Sequence, residues 1–151
     1  MEKQKIISYS AGFTFIEVLL SVALIGILAG ISAPIYVSFQ VRNDIHIAAT
    51  TVAHTFRRAE VLSQAVDGDT SWGVSVQNGS ITLFQGASYV VRNTSLDEIF
   101  EVPTSISVSG LQEVVFSKFY GSPQTTGTTT LTSVNNDVRT IHINAQGTVS
   151  F

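Results

Sequence analysis

Glu17 is the only charged side chain between Lys5 and Arg42, and it stands near the start of an apolar run. A charge inside such a run marks function, because it is costly unless a cation answers it. The chemistry it points to is ion pairing rather than catalysis. His46, His54 and His142 do not stand at metal-ligand spacing, cysteine is absent, and the acidic residues form no calcium-loop pattern. Neither a G-x-S-x-G elbow nor a phosphate loop occurs. Asp67-Gly68-Asp69 serves better as a helix stop than as a cation site. The expectation is therefore no enzyme, no metal and no cofactor.

The element that must position Glu17 is a helix. No Asp, Glu, Lys, Arg or His occurs from residue 18 to residue 41, about 24 residues, enough as a helix to cross the roughly 30 Å hydrocarbon core of a bilayer. A secretory signal peptide would have a shorter apolar region ending at small residues. Here Ile31-Ser32-Ala33 has a bulky first residue and is followed by Pro34. A plain membrane anchor accounts for the length but not for Glu17 or for the small residues Ala11 and Gly12 before it.

Residues 11–20, AGFTFIEVLL, account for all of these features together. At them the chain resembles the type IV pilin and pseudopilin family, whose precursors carry a short basic leader, a Gly, an aromatic residue and a Glu four positions on. The leader is MEKQKIISYSAG with Lys3 and Lys5, Gly12 closes it, Phe13 follows, and Glu17 stands at the family's spacing. Phe15 replaces the commoner Leu, a conservative departure, and Pro34 falls where many members have a helix-kinking proline. The resemblance implies cleavage after Gly12 by a prepilin peptidase, methylation of the Phe13 amine, and assembly with other pilin or pseudopilin subunits. The implied organisation is a leader at 1–12, a transmembrane or filament-core helix at 13–41, and an exported domain at 42–151.

Elementary electrostatics agrees with that implication. Cleavage would create a cationic amine at Phe13, on the positive end of a helix dipole, and a carboxylate in the first turn stabilises both. Glu17 could answer the amine of a neighbouring subunit and so set the stagger between subunits. It could instead satisfy its own chain's amine or snorkel to the cytoplasmic surface. Lys3 and Lys5 keep the leader in the cytoplasm by the positive-inside tendency, with the C-terminal part exported, and the resemblance implies that the membrane is the bacterial inner membrane. Arg42 works against that tendency, with Asp44 partly balancing it.

Beyond the run, Ile45, Ala48, Ala49, Val52, Phe56, Ala59, Leu62 and Val66 recur at three- and four-residue steps, the stripe of a helix with one buried face. Arg57, Arg58, Glu60, Ser63 and Gln64 are expected on the polar face, and the helix is expected to span 13–66, kinked or loosened at Pro34 and Gly30. After Asp69 the period becomes two. Strands are expected at 71–77 and 80–85 around an Asn78-Gly79 hairpin, then at 88–92, 106–109, 113–119, 128–131, 139–144 and 148–151. Residues 121–136, rich in Gly, Ser, Thr and Asn, read as a mobile loop or weak edge hairpin. The fold class is α+β: a long N-terminal helix, membrane-spanning in its first half and amphipathic in its second, packed on antiparallel β-sheet.

The soluble half resembles the H-type minor pseudopilins of type II secretion and the FimT-type minor pilins, through FRRAEVLSQA, SWGVSV, LFQG and RTIHINAQGTV. That resemblance implies a low-copy subunit at or near a pilus or pseudopilus tip. DNA capture and an anchored adhesin are the alternatives. Loss of the leader removes Glu2, Lys3 and Lys5 and takes the formal net charge from −3 to −4, which disfavours nucleic acid as a partner. The first expected outcome is an intact mass, measured on the membrane or filament form, that begins at Phe13. A chain retaining residues 1–12 in filaments, or cut near Ala33, overturns the leader assignment.

Overall fold

The computed structural model describes residues 12–151, and the side chains of all of these except 31–35. The chain divides into two units, Met1–Val37 and Ser38–Phe151. One helix, α1, runs Phe15–Gln64. It continues through Pro34, whose missing N–H cannot bond the carbonyl of Gly30, and the ring itself lies outside the described side chains. Among the described residues no helix is long and apolar enough to cross a membrane. The described side chains of the uncharged run are interrupted at 31–35, and the stretch before that interruption, from Phe15 to Gly30, is about 24 Å of helix, short of the roughly 30 Å hydrocarbon core.

In the second unit, α1 is joined by eight strands: β1 Trp72–Gln77, β2 Ser80–Gln85, β3 Glu98–Glu101, β4 Ile106–Gly110, β5 Glu113–Phe116, β6 Gly127–Ser133, β7 Val138–Ile143 and β8 Val149–Ser150. They form two four-stranded antiparallel sheets, ordered β3-β2-β1-β5 and β4-β6-β7-β8. The helix stripe does what its spacing predicts. Ile45, Ala49, Val52, Phe56 and Ala59 are buried in a core shared with Val74, Leu83 and Phe116 of the first sheet and Leu131, Ile141 and Ile143 of the second. Small residues on the stripe bring the helix backbone close, and Phe56 supplies bulk. Each large side chain buried there contributes about 1.5 to 3 kcal/mol.

Asn78-Gly79 makes the expected two-residue hairpin, with Gln77 opposite Ser80 and Gly79 at φ +91°. Its asparagine also joins the two sheets, since Asn78 Oδ1 accepts from the N–H of Val108 in β4 at 2.7 Å. The closing turn between β7 and β8 is held by Asn144, whose Oδ1 accepts from the N–H groups of Gln146 and Thr148.

Five expectations are corrected. Ser63 is fully buried instead of lying on the polar face. It stands four residues after Ala59 and seven after Phe56, on the buried stripe, and its hydroxyl is satisfied there: it accepts from Trp72 N–H at 3.0 Å and donates to the Phe116 carbonyl at 3.1 Å. Helix α1 stops at Gln64, before the expected Val66, which takes a left-handed conformation at φ 57°.

Residues 88–92 are not a strand. The Tyr89 N–H is taken by Glu113 Oε1 at 2.8 Å, and the Arg92 guanidinium donates to the Tyr89 carbonyl at 2.6 Å and to Asp97 at 2.7 Å. Backbone groups held by side chains in this way are lost to a ladder. The neighbouring edge strand β3 escaped notice because Ile99 faces solvent and no clean alternation marks it.

Residues 121–136, read as a mobile loop or weak edge hairpin apart from the strand expected at 128–131, contain β6, which is longer than that strand and lies in the interior of the second sheet. Thr129, Leu131 and Ser133 point inward while Thr128, Thr130 and Thr132 alternate with them, so the β-branched threonines outweigh the segment's polarity. In compensation, the strand expected at 113–119 ends at Phe116, because Phe119 turns at φ 71°.

Ser63→Ala is expected to cost about 1 to 3 kcal/mol in denaturant unfolding of the full chain in micelles, followed by Trp72 fluorescence, because it strands a buried donor and acceptor. An unchanged midpoint would show that the hydroxyl is not the link between helix and sheet.

Candidate functional site

The start of α1 is built by a local pairing of two side chains. Thr14 precedes the helix, and its Oγ1 accepts from the N–H of Glu17 at 3.3 Å. In return Glu17 Oε2 accepts from the N–H of Thr14 at a long 3.5 Å. This reciprocal arrangement is a capping box, which satisfies backbone donors that the first helical turn leaves without partners. The Thr14 carbonyl completes the turn by accepting from Glu17 and Val18. Sequence reasoning passed over Thr14. The T-x-x-E spacing that signals the box was legible in Thr14-Phe15-Ile16-Glu17.

Glu17 therefore has a local partner before any other chain is considered. One carboxylate oxygen leans on its own helix end, within a first turn whose dipole favours negative charge. The residues around it are open. A Cβ on Gly12 would meet nothing within 4 Å, and Phe13 is 84% exposed. Further along, Phe15, Ile16, Leu20, Val22, Ile25 and Ile27 are also exposed. A helix apolar on all sides is unstable in water and is found where lipid or other helices cover it. Of the expected site residues, Gly12, Phe13 and Glu17 stand together at this terminus. Pro34 stands apart within the helix.

The second unit offers a contrasting charge distribution. Arg58 pairs with Glu98 at 2.6 Å, Arg92 with Asp97 at 2.7 Å, Lys118 with Asp69, and Arg42 with Asp137 at 3.7 Å. Arg57 donates to the carbonyl of Val149 at 3.3 Å. The hydrogen bond to Asp97 holds the Arg92 guanidinium even further above its usual range, and burial pushes the Glu60 carboxyl up. Among the described residues no group of His, Asp or Glu could hold a metal ion. The cations are thus dispersed and largely answered, an arrangement poorly suited to neutralising a row of phosphates.

Comparison with known proteins places the same terminus in a familiar setting. Residues 7–33 match the prokaryotic N-terminal methylation motif, a stretch that contains Gly12, Phe13, Thr14 and Glu17. The chain is similar to two fimbrial proteins of Pseudomonas aeruginosa, each 27% identical over 106 residues, which cover 65% of this chain and 69% of the relative. No solved structure matches it.

Thr14→Val keeps the shape of the cap and removes its acceptor. Amide exchange at Glu17 in micelles should then quicken by about 2- to 30-fold, the equivalent of the 0.5 to 2 kcal/mol that a helix cap is worth. Unchanged exchange would show that the box contributes nothing.

Proposed function

We infer that this chain, a protein of the type IV pilin and pseudopilin family, is a pilus subunit of structural rather than catalytic role that assembles with other subunits through its N-terminal helix. The observation that carries the reading is the start of α1: one carboxylate at the first turn of an otherwise apolar stretch, residues 15–30, whose side chains are exposed. A surface of that kind is stable only when covered, and a neighbouring copy of the same surface can cover it.

In finer detail, we propose that a prepilin peptidase cleaves after Gly12 and that the Phe13 amine is methylated. The uncharged run 18–41 would anchor the chain in the inner membrane before assembly, with the domain exported. Pro34 would give the helix a point at which to bend, because it removes one rung of the hydrogen-bond ladder. Glu17 would then have two successive partners: its own Thr14 N–H in the precursor, and a neighbour's cationic amine in the filament. An amine added to a carboxylate already held at a helix terminus needs little reordering of the side chain.

The soluble half supports a minor subunit, of a pilus or of a secretion pseudopilus, through the motifs that resemble the H-type and FimT-type proteins. The paired cations favour this reading over DNA capture.

Glu17→Leu in the full chain tests the central point. Membrane retention should persist or improve, since a charge leaves the apolar run, while incorporation into filaments should fall at least about tenfold, the equivalent of some 1.4 kcal/mol. Normal incorporation of the variant would sink the assembly role of Glu17.

A further inference from the structure

Arg42 is a cation in the wrong place by the positive-inside tendency, directly after the uncharged run and on the exported side. The fold gives it company that the sequence does not show. Arg139 lies in β7, in register opposite Leu131 and on the same side of the strand as buried Ile141 and Ile143. An arginine at a core-facing register position is unusual. Here the sheet extends past the core, and Arg139 instead lines an open concavity of about 310 Å³ with Arg42, Ile45, Asp137 and Val138.

The charges within it are unevenly answered. The ion pair of Arg42 with Asp137 is the longest among the described residues, at 3.7 Å, and the Arg42 side chain is 70% exposed. Asp137 is the only acid lining the concavity, so two guanidinium groups face one carboxylate and leave a formal charge of about +1 on a domain that is otherwise acidic.

We propose that Arg42 and Arg139 form a site for the phosphate of an anionic phospholipid headgroup at the exported face of the membrane. Guanidinium forks match phosphate oxygens in geometry and charge. The residual +1 suits a singly charged phosphodiester better than a more highly charged inorganic phosphate. Ile45 and Val138 supply an apolar wall for the glycerol portion. The site begins at the residue that follows the uncharged run, where headgroups would lie, so the proposal rests on the reading of residues 18–41 as a membrane anchor.

The test uses the full chain in uncharged sugar-detergent micelles, with mass spectrometry following the modification of each arginine by phenylglyoxal. Phosphatidylglycerol at twice its dissociation constant should slow labelling of Arg42 and Arg139 about threefold, as single-site occupancy requires, and leave Arg58 unaffected. Phosphatidylcholine and inorganic phosphate at the same concentration should protect neither, and Arg139→Gln should abolish the protection at Arg42. Absence of protection by phosphatidylglycerol overturns the proposal. Equal protection by inorganic phosphate reassigns the site to a free anion, and protection by a DNA oligonucleotide alone reassigns it to nucleic acid, either of which also overturns it. Alkaline extraction from phosphatidylglycerol bilayers separates the two layers of inference. A chain retained in the bilayer but unprotected sinks the lipid site alone, whereas a chain that is extracted sinks the anchor.

Discussion

Everything in the second unit depends on the buried face of α1 between residue 45 and residue 63. Two sheets of four strands each have an apolar face to hide, and that single helical stripe is shared by both. Alanines at 48, 49, 53 and 59 let the strands approach the helix backbone, while Ile45, Val52 and Phe56 fill the space between them. Such a core tolerates little change in volume, because its packing has no slack to absorb a missing or additional methylene. The polar end of the stripe is as constrained as the apolar part. Ser63 ties the helix terminus to β1 and β5 through one hydroxyl, and its carbonyl accepts from Phe119 in the turn that follows. A small unit without disulfides can be held in this way only if the helix and both sheets form together.

What could be read from the sequence was whatever short-range chemistry dictates. The stripe from Ile45 to Ala59, the Asn78-Gly79 hairpin and the turn between the strands expected at 139–144 and 148–151 each follow from spacing or turn preference within a few residues, and each stands where expected. Errors arose where a polar side chain finds its partner across the fold. Ser63 looked like a surface residue because its acceptor and donor lie 53 and 9 residues away. The segment around β6 was placed at a weak edge because its polarity was weighed above the β-branching of its threonines, and residues 88–92 looked like a strand because nothing local shows that Glu113 takes the Tyr89 N–H or that Asp97 steadies the arginine that takes the Tyr89 carbonyl.

The local chemistry of the candidate terminus was more legible than the fold. Glu17 stands out by charge alone, and its cap at Thr14 was encoded at a fixed three-residue spacing. The opposite holds for the arginine pair. Arg42 and Arg139 are 97 residues apart, and no composition or periodicity brings them together; only the way β7 runs past the end of the core does so. Local capping is a property of a segment, whereas a charged concavity is a property of a topology.

The edges of the two sheets carry a consequence for crowding. Strand β3 carries Glu98 and Glu101, β5 is covered by the backbone N–H of Gln124 and the hydroxyl of Thr125 on its Val115 and Glu113 carbonyls, β8 is only two residues long, and β4 ends in Gly110 at φ 81°. Acidic, covered, short or distorted margins do not template the addition of a foreign strand. Domains of this kind can therefore be packed side by side at very high local concentration without zipping into continuous sheet, and any order among them must be imposed from elsewhere in the chain.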